Sequence, residues 1–292
     1  RGDKVILLTP AGKASVEKIE STKSSLEKLG LIVSVHEQNY YEGVSFAGSD
    51  EQRADALNES FKDESIKGIF CVRGGYGCSR ILDIIDYDAI KLNPKVLVGM
   101  SDITVLQNAI FRKTGLISYS GPMSLHFMDS SEDFALSSLE SILFNQDDSI
   151  SLNPSDVISG GNASGTLIGG NLVSLNCLLG TEYFPEDDNI ILFIEEIGEY
   201  RYAIDRALSH LKNSNVLDRV SGVIVGENIY KDKDLFELSI VDILKYYFPG
   251  DIPICLGAMF GHDKNHLVLP LGEDVVLDVK DSKTTLLLSN VS

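Results

Sequence analysis

Several kinds of residue and segment are rare or absent in this sequence of 292 residues. It contains no tryptophan and only four cysteines, and its 25 lysines and arginines stand against 43 aspartates and glutamates, a net charge of −18. A negative field of this size repels phosphate backbones and anionic lipids, so we expect neither nucleic-acid binding nor membrane-surface binding. No stretch approaches the roughly 18 consecutive apolar residues of a transmembrane helix, which argues against a membrane-spanning segment.

The few cysteines are scattered and form no C-x-x-C pair. Most are flanked by apolar residues, which favours reduced thiols and therefore a cytoplasmic protein. The first residues show no signal-peptide pattern, and a chain that starts at Arg1 is compatible with removal of an upstream segment. The four cysteines are Cys71, Cys78, Cys177 and Cys255.

Strand and helix patterns alternate through the first part of the chain. An amphipathic helix over Ser15–Leu29 and a helix that opens at Ser49 separate short apolar runs. This alternation predicts an α/β fold with a parallel, doubly wound sheet, in which functional groups gather at the carboxyl ends of the strands. The predicted strands are Lys4–Leu8, Leu31–Val35, Gly68–Val72, Val96–Val98 and Leu116–Tyr119.

The second part of the chain has a different pattern of residues. After a predicted helix over Glu132–Phe144, the stretch Asp147–Gly165 is rich in serine, asparagine, glycine and proline, which is typical of an interdomain connection. We therefore divide the chain into an N-terminal α/β domain (1–128), a helix and linker (129–165) and a mixed α/β C-terminal domain (166–292). The C-terminal patterns are strands over Ile190–Ile194, Gly222–Val225 and Val275–Val279 and helices over Tyr202–Leu211 and Leu235–Tyr247.

A serine stands where a predicted strand meets a predicted helix. The apolar run Val96–Val98 stops at Gly99 and a helical pattern resumes at Ile103, so Ser101 lies on a sharp turn. Such a turn lifts a hydroxyl clear of the sheet edge and aims backbone N–H groups toward charge that develops beside it. The pattern lacks the second glycine of a G-x-S-x-G elbow, and an ordinary helix N-cap is the alternative interpretation of Ser101.

A serine nucleophile needs a base and an acid that orients it. Among the five histidines, His262 lies beside a glycine on a loop after a strand-like run, so it is free to reach across a cleft. Glu195 ends the apolar run Ile190–Ile194, where a carboxylate is costly without a partner, and His262 is a candidate partner. An ordinary surface histidine and a solvated acid pair are the alternatives. His262 and His266 are spaced like a helical metal pair, but no third ligand is apparent, so zinc is not expected.

A glycine-rich segment, Arg73–Arg80, follows the third predicted strand. Glycines let a backbone approach a ligand closely and point N–H groups at an anion, and Arg73 or Arg80 could hold a carboxylate in a two-pronged contact. The glycine spacing fits neither a P-loop nor G-x-G-x-x-G. A plain tight turn is the alternative interpretation.

Taken together, these motifs resemble one family over nearly the whole chain: the L,D-carboxypeptidases of serine peptidase family S66, the muramoyltetrapeptide carboxypeptidase type. The resemblance implies an N-terminal Rossmann-like (flavodoxin-like) domain joined to a smaller, β-rich C-terminal domain, with the active site between them. It also implies a homodimer that works without metal or any other cofactor. The segments that carry it are Phe46–Ala54, Arg73–Gly77, Asp86–Tyr87, Gly99–Thr104, Gly121–Met123, Gly169–Leu172, Ile194–Glu196, Tyr202, Asp205–Arg206 and Gly261–His262.

The resemblance also implies roles for particular residues. Ser101 is the nucleophile, His262 the general base and Glu195 the acid that orients the base. The oxyanion site of the family uses backbone N–H groups, which fall here on Gly75 and Asp102.

Substrate-binding residues are less well defined by the resemblance. Arg73, Gly74 and Tyr76 are the candidates, with Arg73 suited to a substrate carboxylate. The sequence departs from the family pattern at Ser120, where the family has histidine, and at Glu196, where it has aspartate. Neither departure removes a member of the triad.

The predicted function is that of a serine L,D-carboxypeptidase that releases the terminal D-alanine from murein tetrapeptides in cell-wall recycling. One alternative keeps the triad: the microcin C self-immunity branch of the family cleaves acyl-sulfamoyl adenylates. That branch carries a Gly-Gly-Asn-type turn where this chain has Arg73–Gly77, which favours the murein substrate. The other alternative is a protein that binds muropeptides without cutting them.

Overall fold

The structure, a computed structural model, describes residues 1–41, 43, 45–128, 132–227, 229–230, 235–280 and 283–289. Within them the chain forms two β-sheets flanked by α-helices. The strands are β1 (Lys4–Leu8), β2 (Ile32–Val35), β3 (Ile66–Cys71), β4 (Val96–Gly99), β5 (Ser118–Ser120), β6 (Ser149–Ser151), β7 (Asp156–Ser159), β8 (Gly161–Asn171), β9 (Ile190–Glu195), β10 (Val220–Gly226), β11 (Ile254–Ala258), β12 (Leu269–Leu271), β13 (Asp274–Val279) and β14 (Thr285–Leu288). The helices are α1 (Val16–Lys28), α2 (Asp50–Lys62), α3 (Tyr87–Leu92), α4 (Ile103–Thr114), α5 (Glu132–Glu140), α6 (Leu172–Asn176), α7 (Arg201–Asn213) and α8 (Ile240–Tyr247).

The first sheet is the predicted doubly wound sheet. Its strands lie in the order β2-β1-β3-β4-β5-β12, with β1 to β5 parallel and β12 antiparallel to β5. The order 2-1-3-4-5 is the flavodoxin-like one, so the fold predicted for the first half of the chain is confirmed. In this topology β1 and β3 flank the switch point, and the crevice at their carboxyl ends is where such sheets bind ligands.

Helices of this first half begin where polar side chains cap them. The Ser15 hydroxyl accepts a hydrogen bond from the N–H of Lys18 at the start of α1. Ser49 and Gln52 form a reciprocal capping box at the start of α2, with distances of 2.9 and 3.2 Å. Because such caps satisfy N–H groups that the helix leaves unpaired, the two helices begin where the sequence predicts.

The second sheet is mixed, as predicted, and has eight strands in the order β6-β14-β13-β8-β9-β10-β11-β7. Its central strands β8 to β11 run parallel, and the strands outside them are antiparallel to their neighbours. The long strand β8 pairs with β13 through residues 161–166 and with β9 through residues 166–171. It therefore joins the antiparallel part of the sheet to the parallel part.

Two parts of the chain do not follow the predicted division into domains and linker. Residues 149–165, predicted as a connection, form β6, β7 and the first half of β8. Apart from Ile150, the residues of these strands are exposed or half-buried, so the strands lack the apolar alternation by which a strand is recognised. From the predicted C-terminal domain, β12 pairs with β5 in the first sheet, where Pro270 suits an edge strand. Independent folding of the two predicted domains stays a prediction. Two bounds of the predicted division, positions 129 and 292, lie outside the described residues.

Two helices are shorter than the sequence pattern predicts. The helix predicted from Leu235 begins at Ile240, because Ser239 caps it in a reciprocal box with Asp242. The helix predicted to reach Phe144 ends at Glu140 and continues as a π-helical turn. None of the helices in the described part of the chain is long and apolar enough to cross a membrane.

The helix α4 connects the two halves of the molecule. It packs against β4 and β5 of the first sheet and against β8 and α6 of the second half. All residues from Ile103 to Ile110 are buried. The start of α4, immediately after Ser101, is therefore fixed from both sides.

Candidate active site

Ser101 has a strained backbone at the turn between β4 and α4. Its φ is +61°, a left-handed conformation that costs a non-glycine residue about 1–3 kcal/mol and that clusters at functional sites. Its side chain makes no hydrogen bond to the first turn of α4, where Asp102 occupies the N-cap position. The N-cap interpretation of Ser101 is therefore not supported, and its hydroxyl makes no hydrogen bond with a described residue.

The glycine turn after β3 lies directly against Ser101. A Cβ atom on Gly74 would come within 2.7 Å of the Ser101 Cβ and 2.9 Å of its Oγ, so only glycine fits. The turn is held from two sides: the Gly12 N–H donates to the Gly74 carbonyl (2.9 Å), and the Cys78 N–H donates to the Asp102 carboxylate (2.8 Å). The Asp102 side chain therefore fixes the turn to the start of α4.

Two backbone N–H groups remain available beside Ser101. Those of Gly75 and Asp102 donate to no acceptor among the described residues. The Asp102 nitrogen lies 3.0 Å from the position that a Gly74 Cβ would take, which places the turn and the helix start side by side. Unpaired donors at such a position can stabilise an oxyanion, a contribution of roughly 3 kcal/mol for each donor in serine hydrolases.

Replacing Gly74 with alanine is expected to lower kcat/KM by about 100-fold or more, because the new methyl group displaces Ser101 and such misplacement is costly. The matched control is Gly115→Ala at the other end of α4. Gly115 has a φ of +74° and open space around its Cα, so alanine there costs about 1 kcal/mol of stability without moving the site. Steady-state kinetics and thermal unfolding of both variants check this. Equal kinetics of the two variants would contradict it.

Glu195 and His262 form the contact expected from the sequence. Glu195 is the last residue of β9, and its Oε2 lies 2.7 Å from Nδ1 of His262, on the loop after β11. The carboxylate can only accept, so Nδ1 carries a proton, and in the neutral ring Nε2 keeps its lone pair for a substrate. The Glu195 side chain is 2% exposed, and its Oε1 accepts no hydrogen bond within the described part of the chain. Its charge therefore acts mainly on His262.

The environment of His262 favours its protonated form. Burial lowers the pKa of His262, but the hydrogen bond that it donates to Glu195 and the charges of Glu195 and Glu196 outweigh burial, so the pKa lies above 6.5. A histidine in this range can take up and release a proton near neutral pH, as a general base requires.

Two buried histidines hold the loop that presents His262. His126 Nε2 lies 3.2 Å and His266 Nδ1 lies 2.9 Å from the carbonyl oxygen of Gly261, the residue before His262. Burial lowers the pKa of His126 to about 4 and that of His266 to about 3, so both are neutral near pH 7. The sequence did not indicate this role for either histidine, since their contacts depend on chain folding.

The carboxyl ends of the two sheets are joined by a polar network beside the site. The Asn171 N–H donates to the Thr104 hydroxyl on α4 (2.9 Å), and the Asn171 side chain donates to Glu196 (2.9 Å). Asn171 pairs in register with Glu195, so the network runs from the first turn of α4 to the residue that contacts His262. Burial raises the pKa of Glu196, whose oxygens also accept the N–H groups of Val173 and Ile197.

Ser101 follows a strand of the first sheet, whereas Glu195 ends one strand of the second sheet and His262 follows another, and Ser101 and His262 share no hydrogen bond in this structure. Ser101 follows β4, and the segment containing His126 follows the neighbouring strand β5. His126 contacts the residue before His262, which links the loop that carries the imidazole to the carboxyl edge of the first sheet. Catalytic hydrogen bonds in ligand-free enzymes are often long and tighten when substrate binds.

The remaining predicted residues divide into two groups. Arg73, Gly75 and Tyr76 line a cavity beside the turn, whereas Gly74 faces Ser101 instead. In the described ranges, no group of three histidine, cysteine, aspartate or glutamate side chains is placed to hold a metal ion. His266, the second histidine of the candidate metal pair, contacts Gly261 instead.

This arrangement belongs to the serine hydrolases, in which a strained serine, an imidazole and an orienting carboxylate act together. Residues 5–121 match the family model of the LD-carboxypeptidase N-terminal domain, and residues 164–277 match that of the C-terminal domain. The chain therefore belongs to the LD-carboxypeptidase family, peptidase family S66.

Individual relatives agree with this membership. The chain is 32% identical to a probable murein peptide carboxypeptidase of Bacillus subtilis (strain 168), over 100% of this chain and 93% of the relative. The solved muramoyltetrapeptide carboxypeptidase from Oxalobacter formigenes superposes with a TM-score of 0.85 at 27% identity, covering 98% of this chain and 99% of that one. Microcin C7 self-immunity protein MccF, solved in complex with aspartyl sulfamoyl adenosine, gives 0.88 at 26% identity, covering 99% and 96%.

Proposed function

We propose that this protein is a serine L,D-carboxypeptidase that releases the terminal D-alanine from murein tetrapeptides. The observation that carries the proposal is the 2.7 Å contact between His262 and the buried Glu195, in a chain of the LD-carboxypeptidase family. Burying a carboxylate beside an imidazole costs desolvation energy, and such pairs cluster at functional sites. Orienting a general base is a function that accounts for this pair.

In the proposed reaction, the Ser101 oxygen attacks the carbonyl carbon of the bond to D-alanine. His262 Nε2 takes the hydroxyl proton, and the N–H groups of Gly75 and Asp102 hold the resulting oxyanion. His262 then passes its proton to the amine of D-alanine, which leaves, and an acyl-enzyme on Ser101 remains. A water molecule, deprotonated by His262, cleaves the ester and restores the serine.

The defining experiment is mass spectrometry of the products from defined peptides. We expect a murein tetrapeptide to yield the tripeptide and free D-alanine. A pentapeptide should release no D-alanine, because its terminal bond joins two D-residues. Loss of D-alanine from the pentapeptide at the tetrapeptide rate would contradict L,D-specificity.

The likeness to MccF favours a second candidate function, hydrolysis of acyl-sulfamoyl adenylates. This reaction would use the same three side chains. The turn Arg73–Gly77 argues against it, since it differs from the Gly-Gly-Asn type expected of that branch. Assays of one protein batch on both substrates separate the two functions.

A third hypothesis is a protein that binds muropeptides without cutting them. It predicts that Ser101 does not react with a fluorophosphonate probe.

The proposed cellular setting is the cytoplasm, where the enzyme would act on murein peptides during recycling. The proposed assembly is a homodimer. Light scattering at several protein concentrations tests the assembly, and a mass equal to one chain throughout would contradict it.

A further inference from the structure

A cavity of 660 Å³ opens beside the glycine turn, at the switch point of the first sheet. Its walls include residues 12–15 after β1 and the turn after β3. Flavodoxin-like sheets bind ligands at this crevice. Pockets of roughly 300–1,000 Å³ accommodate ligands of many atoms, so this cavity offers far more room than one alanine residue needs.

The described lining of the cavity is cationic, although the chain as a whole has a net charge of −18. Lys13 and Arg73 line it, and no aspartate or glutamate is among the described residues that do. Neither cation forms an ion pair with a described residue, whereas Arg53 and Arg80 nearby both pair with Asp50. The cavity therefore presents uncompensated positive charge to a ligand.

The two cations are held next to each other at one end of the proposed catalytic site. Arg73 donates a hydrogen bond from Nη1 to the backbone carbonyl of Lys13, which leaves other guanidinium donors for a ligand. Phe46 and Tyr76, with ring centroids 5.7 Å apart, add an apolar wall. Gly75 also lines the cavity, so a peptide whose carbonyl lies at the Gly75 N–H has neighbouring residues within reach of both cations.

We infer that this cavity binds a carboxylate on the part of the peptide that remains after the terminal residue has left. The inference rests on the proposed function, since it concerns the same substrate. A murein peptide offers two such groups: the free α-carboxylate of D-glutamate and the side-chain carboxylate of diaminopimelate. If the bound group is the diaminopimelate carboxylate, a lysine at the third position would bring an ammonium group toward Lys13 and Arg73, and such a peptide would bind less tightly.

The test measures binding of the product tripeptide, L-alanyl-γ-D-glutamyl-diaminopimelate, by isothermal titration calorimetry. Three forms are compared: unmodified, amidated at the glutamate carboxylate and amidated at the diaminopimelate side-chain carboxylate. We expect one of the two amidated peptides to bind the wild-type protein about tenfold more weakly than the unmodified peptide, as loss of a charge-assisted contact does. The Lys13→Met variant should bind that amidated peptide and the unmodified peptide with similar affinity, because the contact is already lost.

A lysine on α1 supplies the matched control. Lys23→Met removes the same charge two turns into the helix, away from the cavity lining, and should bind like the wild type. The inference is overturned if neither amide weakens wild-type binding, or if Lys13→Met weakens all three peptides alike. No hydrolysis is involved. A protein that binds the tripeptide in this manner but releases D-alanine from no tetrapeptide would contradict the proposed function alone.

Discussion

Ser101→Ala is expected to lower the release of D-alanine from a murein tetrapeptide by about 10⁵-fold while the fold stays intact. The Ser101 side chain makes no hydrogen bond with any described residue, so alanine breaks no contact that stabilises the structure. What disappears is the nucleophile, and the remaining groups catalyse only weakly without it. Rates of D-alanine release and thermal unfolding of the purified variant check both parts. A near wild-type rate would show that Ser101 is not the nucleophile.

Ser101→Gly provides the control for backbone strain. Glycine adopts a φ of +61° without steric cost, whereas alanine keeps the strain of serine. Relief of about 1–2 kcal/mol is partly offset by the greater freedom of glycine in the unfolded chain. We therefore expect Ser101→Gly to be as inactive as Ser101→Ala but at least as stable. A much less stable glycine variant would show that the turn depends on the Cβ atom.

Local patterns in the sequence were sufficient to predict the five parallel strands of the first sheet. Apolar runs such as Lys4–Leu8 alternate with helices that Ser15 and Ser49 cap, and each of these signals lies within a few residues. Position at a strand end also predicted that Ser101 and Glu195 belong to a site, because a hydroxyl on a sharp turn and a carboxylate after a buried strand are unusual. The roles in catalysis came from the family resemblance.

Long-range contacts account for what the sequence did not predict. The pairing of β12 with β5 joins segments about 150 residues apart, and nothing in Leu269–Leu271 indicates its partner. The contact of His126 with Gly261 joins residues 135 positions apart in the same way. Gly170 belongs to the segment Gly169–Leu172 that carries the family resemblance, but only the fold shows why glycine is needed there: a Cβ atom would lie 2.3 Å from the Thr104 hydroxyl oxygen.

The adjacent acids Glu195 and Glu196 are both buried but have different contacts, which makes them a matched pair. Only Glu195 contacts His262, whereas Glu196 accepts hydrogen bonds from Asn171, Val173 and Ile197. Glu196→Gln should cost about 1–3 kcal/mol, because its amide group would face N–H donors. Its effect on the rate should be small. Urea unfolding and steady-state kinetics of both glutamine variants separate stability from catalysis.

Glu195→Gln is expected to lower kcat by about 10⁴-fold and to shift the acid limb of kcat/KM to lower pH. The rate falls because a glutamine amide can donate to Nδ1 of His262, which moves the ring proton to Nε2, where the base must accept one. The limb shifts because Glu195 is the main group that raises the pKa of His262 above 6.5; without it, the lowering effect of burial prevails. The neutral imidazole, which is the active form, then persists to lower pH. A pH profile of kcat/KM measures this, and an unchanged limb in Glu195→Gln would contradict the assignment of His262 as the base.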